Sequence, residues 1–238
     1  MEREIKLIET KRLGRVRYSE GLRLQEECRD MILRGEAAKG FLLLLEHYPV
    51  ITNGRFAEDN NFVLPVSLIE ERGVEVYRTD RGGDLTYHGP GQLVAYPILP
   101  LREFKLGARA YIHSLEEVLI KTLLTYGIDA HSDPGYPGVW VKDKDGAGRA
   151  KIASIGVSVK NGVTSHGCAL NVSTDLSYFS LIVPCGIPEV NITSMENVLG
   201  KKVDIDSVAD TFSRLFAQVI GPQAAPSGLR QESRALPA

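Results

Sequence analysis

Two runs of alternating character, ASIGVSVK (153–160) and VTSHGCALNV (163–172), flank the dipeptide Asn161-Gly162. Nothing else in the chain limits its fold as tightly. A two-residue hairpin turn of type I′ needs positive φ at both central positions, and asparagine followed by glycine adopts it at little cost. The register follows: Lys160 opposes Val163, Ser154 opposes Ala169, Gly156 opposes Gly167, Ile155 meets Cys168 and Val157 meets His166. Successive side chains of a strand point to opposite faces. Ala153, Ile155, Val157, Val159, Cys168 and Leu170 therefore share an apolar face, predicted to be core, with Cys168 packed as a small hydrophobe. The other face carries only Ser154, Gly156, Gly167 and Ala169. So bare a face suits a closely packed helix or an exposed edge, and equally a ligand that approaches the strand backbone.

Apolar periodicity predicts helices over 18–34 and 109–126, and a third with Asp206 or Ser207 as N-cap that stops at Gly221. Further strands are predicted at 41–47, 74–78, 93–99 and 138–141. In a chain of 238 residues, 43% of them hydrophobic, these elements suit a single α/β domain over residues 1–221. Residues 222–238 have almost no apolar periodicity and read as a disordered tail. A formal net charge of -2 gives no footprint for nucleic acid, although Lys11, Arg12, Arg15 and Arg17 form a local basic cluster suited to an acidic protein partner. FLLLLEHYPVI (41–51) is broken by Glu46 and His47 before it could span a bilayer, so a soluble, cytoplasmic protein with no membrane partner is expected. The three cysteines, Cys28, Cys168 and Cys185, lie too far apart for a zinc site and are odd in number, which argues against a disulfide framework.

Two further stretches carry chemistry. TDRGGDLTYHGPGQLVAYPILP (79–100) reads as a glycine-rich loop leading into a strand, with Arg81, Thr86, Tyr87, His88 and Gln92 as its polar groups. It fits neither the phosphate-cradling G-x-x-x-x-G-K-[ST] pattern nor G-x-G-x-x-G. Cys185 stands between Pro184 and Gly186 after an apolar run. A free thiol is only about 3% ionised at pH 7, and a neighbouring cation such as Lys151, His88 or His166 would raise that fraction. From the residues alone Cys185 is either a nucleophile held at a strand end or a buried structural cysteine.

Read together, EHYPVITNGR (46–55), RGGDLTYHGPGQLVAYPIL (81–99), KIASIGV (151–157), HGCALNV (166–172) and PCGI (184–187) resemble the lipoyl(octanoyl) transferases, in the same order over roughly residues 40–195. The resemblance implies the α/β fold of biotin and lipoate ligases, a mixed sheet flanked by helices and related to the core of class II aminoacyl-tRNA synthetases. It implies transfer of an octanoyl group from acyl carrier protein to a lysine of a lipoyl domain, in 2-oxoacid dehydrogenases and the glycine cleavage H protein, with no ATP, cofactor or metal. Cys185 stands at the acyl-accepting cysteine, and Lys151 at the lysine that lowers the thiol's pKa and shares its acid–base work. Arg81, Gly82, Gly83, Asp84, Leu85, Thr86, Tyr87 and His88 stand at the substrate-binding segment. Ser154, Ile155 and Gly156, with Gly167, Cys168 and Ala169, stand at two triplets that line the acyl channel and that the hairpin register already opposes. His166 and Gln92 are candidate supporting residues. Acyl carrier protein is acidic, and Lys105, Arg109 and the residues around Arg15 are the basic groups proposed to meet it. An ATP-dependent lipoate or biotin ligase is the rival reading on this fold.

Two points depart from a simple picture. Cys168 places a second thiol near the site. Strand parity puts Lys151 on the face of Ile155, away from the small residues, unless the strand starts after Lys151 or a bulge turns it.

Overall fold

The predicted hairpin lies at the centre of the main sheet. The structure, a computed structural model, describes residues 8–36, 40–57, 61–143, 148–183 and 191–221, so the expected tail and Cys185 lie outside the described residues. The chain begins β1 (Glu9–Val16), α1 (Tyr18–Leu33), β2 (Phe41–His47), β3 (Val50–Asn53), α2 (Val66–Glu71), β4 (Glu75–Arg78) and β5 (Leu85–His88). It continues β6 (Gln92–Ile98), α3 (Ala108–Thr125), β7 (Ala130–Asp133), β8 (Tyr136–Lys142), β9 (Arg149–Lys160) and β10 (Val163–Asn171), then β11 (Asn191–Ile192), α4 (Met195–Leu199) and α5 (Ile205–Ile220). The main sheet runs β1-β2-β6-β10-β9-β8-β7, and β11 pairs with β9 at Ala150 and Lys151, beyond the end of β10. It is mixed, with β1 parallel to β2 and β11 parallel to β9. A smaller sheet runs β4-β3-β5.

The hairpin has the predicted register, with φ of 54° at Asn161 and 78° at Gly162. Helices α3 and α5 cover one face of the main sheet, where Leu115, Leu119, Phe212 and Phe216 pack with Leu42, Leu44, Ala153, Cys168 and Leu170. Helix α1 covers the other, where Cys28 meets Phe41, Leu43, Val94 and Ala169. Covered on both sides, β2 is a continuous apolar run rather than an alternating one. No helix among the described residues is long and apolar enough to cross a membrane.

Several expectations need correction. Helix α5 starts two or three residues earlier than predicted: Asp204 is its N-cap and accepts from the Ser207 amide at 3.1 Å, and Ile205 already packs against the core. Strand β5 sits inside the stretch read as a loop, and β1, β3 and β7 were not anticipated. Val159, placed on the core face by parity, is 39% exposed beside the turn. The expected amino-terminal basic cluster does lie at the surface, with ion pairs of its own: Lys11 lies 3.6 Å from Glu9, Arg12 3.6 Å from Asp206, Arg15 3.3 Å from Glu46 and Arg17 2.6 Å from Glu75. Lys105 and Arg109 are exposed and make no ion pair among the described residues.

Candidate functional site

A bulge answers the question of Lys151. Across β8 and β9, Val139 opposes Ala153 while the next residue, Trp140, opposes Lys151, so Ile152 is one extra residue in β9. Ala150, Ile152 and Ala153 all point into the core under α3, which turns Lys151 to the face of Ser154 and Gly156. Its side chain is buried, with Nζ 5.0 Å from the centre of the Trp140 ring. An ammonium taken from water needs such compensation, and an indole face supplies roughly 2 kcal/mol when desolvated. Gly138, at φ 135°, makes the room, since a Cβ there would lie 2.6 Å from both Lys151 Cε and the Ala153 carbonyl oxygen. The Gly138 amide donates to buried Glu116 Oε1 at 3.3 Å, which ties α3 to this turn.

Lys151 borders a cavity of about 460 Å³, within the range of small-molecule sites. Ser154, Gly156, Gly167 and Ala169 line it from the hairpin, together with Ile155 and Cys168. Tyr18, Tyr96 and Ile112 close it from α1, β6 and α3, and Phe56 and Tyr136 stand at its border 74% and 43% exposed. Of the two readings of the bare strand face, the ligand-accessible one fits this cavity. Arg81, Gly82, Gly83, Asp84, Leu85, Thr86 and His88 line it as well. Tyr87 does not; alternation along β5 sends its ring the other way, stacked 4.8 Å from Tyr178 in the core of the small sheet.

The Arg81 segment closes over the strands. Gly82 donates its amide to the Val157 carbonyl at 2.9 Å, and a Cβ on Gly156 would lie 2.9 Å from the Gly82 oxygen. The buried Arg81 guanidinium donates to the Thr52 carbonyl at 2.5 Å, to Thr52 Oγ1 at 2.8 Å and to the Asp84 carbonyl at 2.6 Å. Its donors thereby hold the loop.

The remaining wall is aromatic and imidazole. His166, at φ 56°, opposes Val157 in register, yet its ring lies against Tyr96, 6.3 Å between centres, on the α1 side. Its amide donates to Gln25 Oε1 at 2.6 Å, and its Nε2 lies 2.8 Å from Asp80 Oδ1. Left-handed backbone at a non-glycine residue is strain held by its surroundings. His47 Nδ1 donates to the Val16 carbonyl at 3.0 Å, so its Nε2 accepts from the Tyr96 hydroxyl at 2.8 Å. Burial lowers His88 to about 3 and His47 to about 4, and it holds His166 below the usual histidine range. Burial also raises the Cys168 thiol to about 12, which keeps it protonated and inert. Asp80 is pushed up by burial, but hydrogen bonds from His166 and Ser158 outweigh this and hold it low. No group of three or more His, Cys, Asp or Glu side chains suited to a metal occurs among the described residues.

Residues 17–217 match the lipoyl protein ligase A/B catalytic domain. The chain belongs to this family. Family members from Solibacter usitatus and Koribacter versatilis, both octanoyltransferases, are 47% and 45% identical to it over 91% of this chain and 94% and 86% of their own lengths. Among solved structures, lipoate-protein ligase A bound with ATP aligns with a TM-score of 0.65 at 16% identity, covering 89% of this chain and 84% of that one. The P. falciparum LipL1 complex with lipoate gives 0.66 at 14% identity over 90% and 62%. At such identities the likeness is one of fold, the mixed sheet flanked by helices.

Several residues of this family member's site were not singled out in its sequence. Trp140 under Lys151 and Tyr96 in the wall read as strand positions, Tyr18 as the start of a helix and Asp80 as part of the glycine-rich loop. Only the packing of elements distant in sequence brings Tyr18 and Tyr96 to the cavity, with Trp140 and Asp80 beside the residues that line it.

Proposed function

We propose that the protein is an octanoyltransferase that takes an octanoyl group from octanoyl-acyl carrier protein and delivers it to a lysine of a lipoyl domain. The observation that carries this reading is the buried Lys151, turned by a bulge onto the small-residue floor of a largely apolar cavity. Its similarity to octanoyltransferases over nine-tenths of its length supports it.

Cys185 is the nucleophile in this reading. It lies two residues after Val183, whose amide donates at 2.7 Å to the carbonyl of Asn61, and the Asn61 side chain donates at 2.6 Å to cavity-lining Asp84. Two residues span at most about 7 Å, and six residues further on Asn191 and Ile192 pair with Ala150 and Lys151. The Cys185 thiolate attacks the thioester carbonyl and the donor's sulfur leaves as a thiol with the proton of the Lys151 ammonium, an exchange of like bonds that is nearly neutral in free energy. The acceptor amine then attacks the acyl-enzyme, Cys185 leaves, and an amide forms without nucleotide. The Lys151 ammonium stands by the thiolate and, once neutral, takes the amine's proton. Each buried methylene contributes about 0.8 kcal/mol, so a hexanoyl donor, two methylenes shorter, is expected to bind roughly 15-fold less well.

Intact-protein mass spectrometry after mixing with octanoyl-acyl carrier protein and no acceptor tests this. One added octanoyl group on the native chain and on Cys168→Ser, and no stable thioester on Cys185→Ser, is expected. An unmodified protein that modifies lipoyl domains only when given ATP and free octanoate would replace the reading with the ligase one.

A further inference from the structure

His88 is buried and lines the cavity, and what its ring can offer there is decided by its neighbours behind the wall. Gln92 Nε2 donates to the Tyr87 backbone carbonyl at 3.1 Å and to Asn171 Oδ1 at 2.9 Å. A backbone carbonyl only accepts, so that atom is the amide nitrogen and Oε1 is left facing His88 Nδ1 at 2.7 Å. Asn171 is fixed in the same way, by Nδ2 donating to the Thr193 carbonyl at 3.0 Å. The Thr193 amide in turn donates to the Lys151 carbonyl at 2.9 Å, which fastens the chain of bonds to the strand that carries the lysine. His88 Nδ1 must therefore bear the proton. Its Nε2 has no hydrogen-bond partner among the described residues, and the cavity is the space beside the ring.

We propose that Gln92 and Asn171 are positioning residues that lock His88 in its Nδ1–H form, so that the imidazole presents to the cavity an unprotonated Nε2 that accepts a hydrogen bond from the incoming lysine amine. The second half of this statement rests on the octanoyl-transfer reading; the tautomer does not. An Nε2 without hydrogen cannot donate to the oxygen that gains charge during thioester attack, so His88 acts on the attacking group and not on the oxyanion. Burial keeps the ring neutral at working pH. So weak a base orients an N–H without removing its proton, which is left to Lys151.

The test is nitrogen NMR of the ¹⁵N-histidine-labelled protein at pH 7, with the His88 signals assigned by their loss in His88→Gln. A protonated Nδ1 and a bare Nε2 are expected. In Gln92→Leu, which offers Nδ1 no acceptor, this preference is lost. In kinetics, acyl-enzyme formation is unchanged in Gln92→Leu while transfer to the lipoyl domain slows about tenfold, the worth of one hydrogen bond. A protonated Nε2 in the native protein overturns the tautomer assignment, whatever the activity. Equal slowing of both half-reactions overturns the role toward the amine. A native protein that transfers no octanoyl group removes the transfer reading and leaves the NMR result to decide the tautomer alone.

Discussion

The middle of the β9–β10 hairpin and its two irregular points make an instructive pair. From Ala153 to Gly156 and from Gly167 to Leu170 the ladder is regular, the side chains alternate, and the result is core on one face and bare backbone on the other. One extra residue at Ile152 and one left-handed residue at His166 break the alternation, and each turns an ionisable side chain onto the bare face. Regular pairing thus builds the floor of the cavity, and departures from it bring ionisable groups to its wall. Strand irregularities are retained where they re-aim a side chain.

Predictions follow from setting these two kinds of position against each other. Lys151→Met keeps the bulge and the side chain's length but removes the ammonium. Transfer is expected to fall about 10²- to 10⁴-fold, the usual range for an acid–base group, with a melting temperature close to that of the native chain. A loss of less than tenfold would reduce the bulge to a structural detail.

Acidification tests the imidazole wall. His47 and His88 have folded pKa values of about 4 and about 3, below the ordinary 6.5. Between those limits the unfolded chain binds more protons, so stability is fully present above pH 6.5 and falls as pH drops toward 4 and 3. Each group contributes up to about 1.4 kcal/mol per pH unit, or roughly 3 kcal/mol for the two between pH 6.5 and 5, since the slope is only half-developed at 6.5. Urea unfolding at a series of pH values reads the slope, and His47→Gln and His88→Gln should each flatten it.

Within the regular region the two opposed glycines are predicted to differ. A Cβ at Gly167 would lie 2.1 Å from the Ala95 carbonyl oxygen, backbone of the neighbouring strand. Gly167→Ala should cost about 3 kcal/mol, at the upper end of overpacking. Gly156→Ala meets the Gly82 oxygen and the Arg81 side chain of the covering loop, so it should cost about 1 kcal/mol and chiefly raise the KM for the acyl donor. Equal destabilisation would show that the loop is as rigid as the sheet. The smallest effect is expected at Cys168, whose thiol, at about 12, should escape alkylation at pH 8 in the folded protein and react only on unfolding; peptide mapping decides this.

How much of this was legible in the sequence depends on how local the signal was. The hairpin register, the three long helices and the buried run of β2 are written in periodicity and in one asparagine–glycine turn. Strand β1, ETKRLGRV, was missed because an edge strand beside β2, with Leu13 half-buried and Val16 buried, carries little alternation of its own. A bulge was one of the two ways the sequence left open for Lys151, and its place was hidden because Ala150, Ile152 and Ala153 are all apolar, so that only the partner strand shows which of them is extra. Tyr87 was grouped with its neighbours by motif, whereas the alternation of β5 separates it from Thr86 and His88.

Trp140 is the only tryptophan in the sequence. Its indole lies 5.0 Å from the Lys151 ammonium and 4.6 Å from the Arg149 guanidinium, at the edge of the proposed chemistry. All of the chain's indole fluorescence therefore originates beside the cavity, which gives the protein an unlabelled optical gauge. Arrival of an acyl chain, or a change of charge at the lysine, can be followed in real time by emission alone.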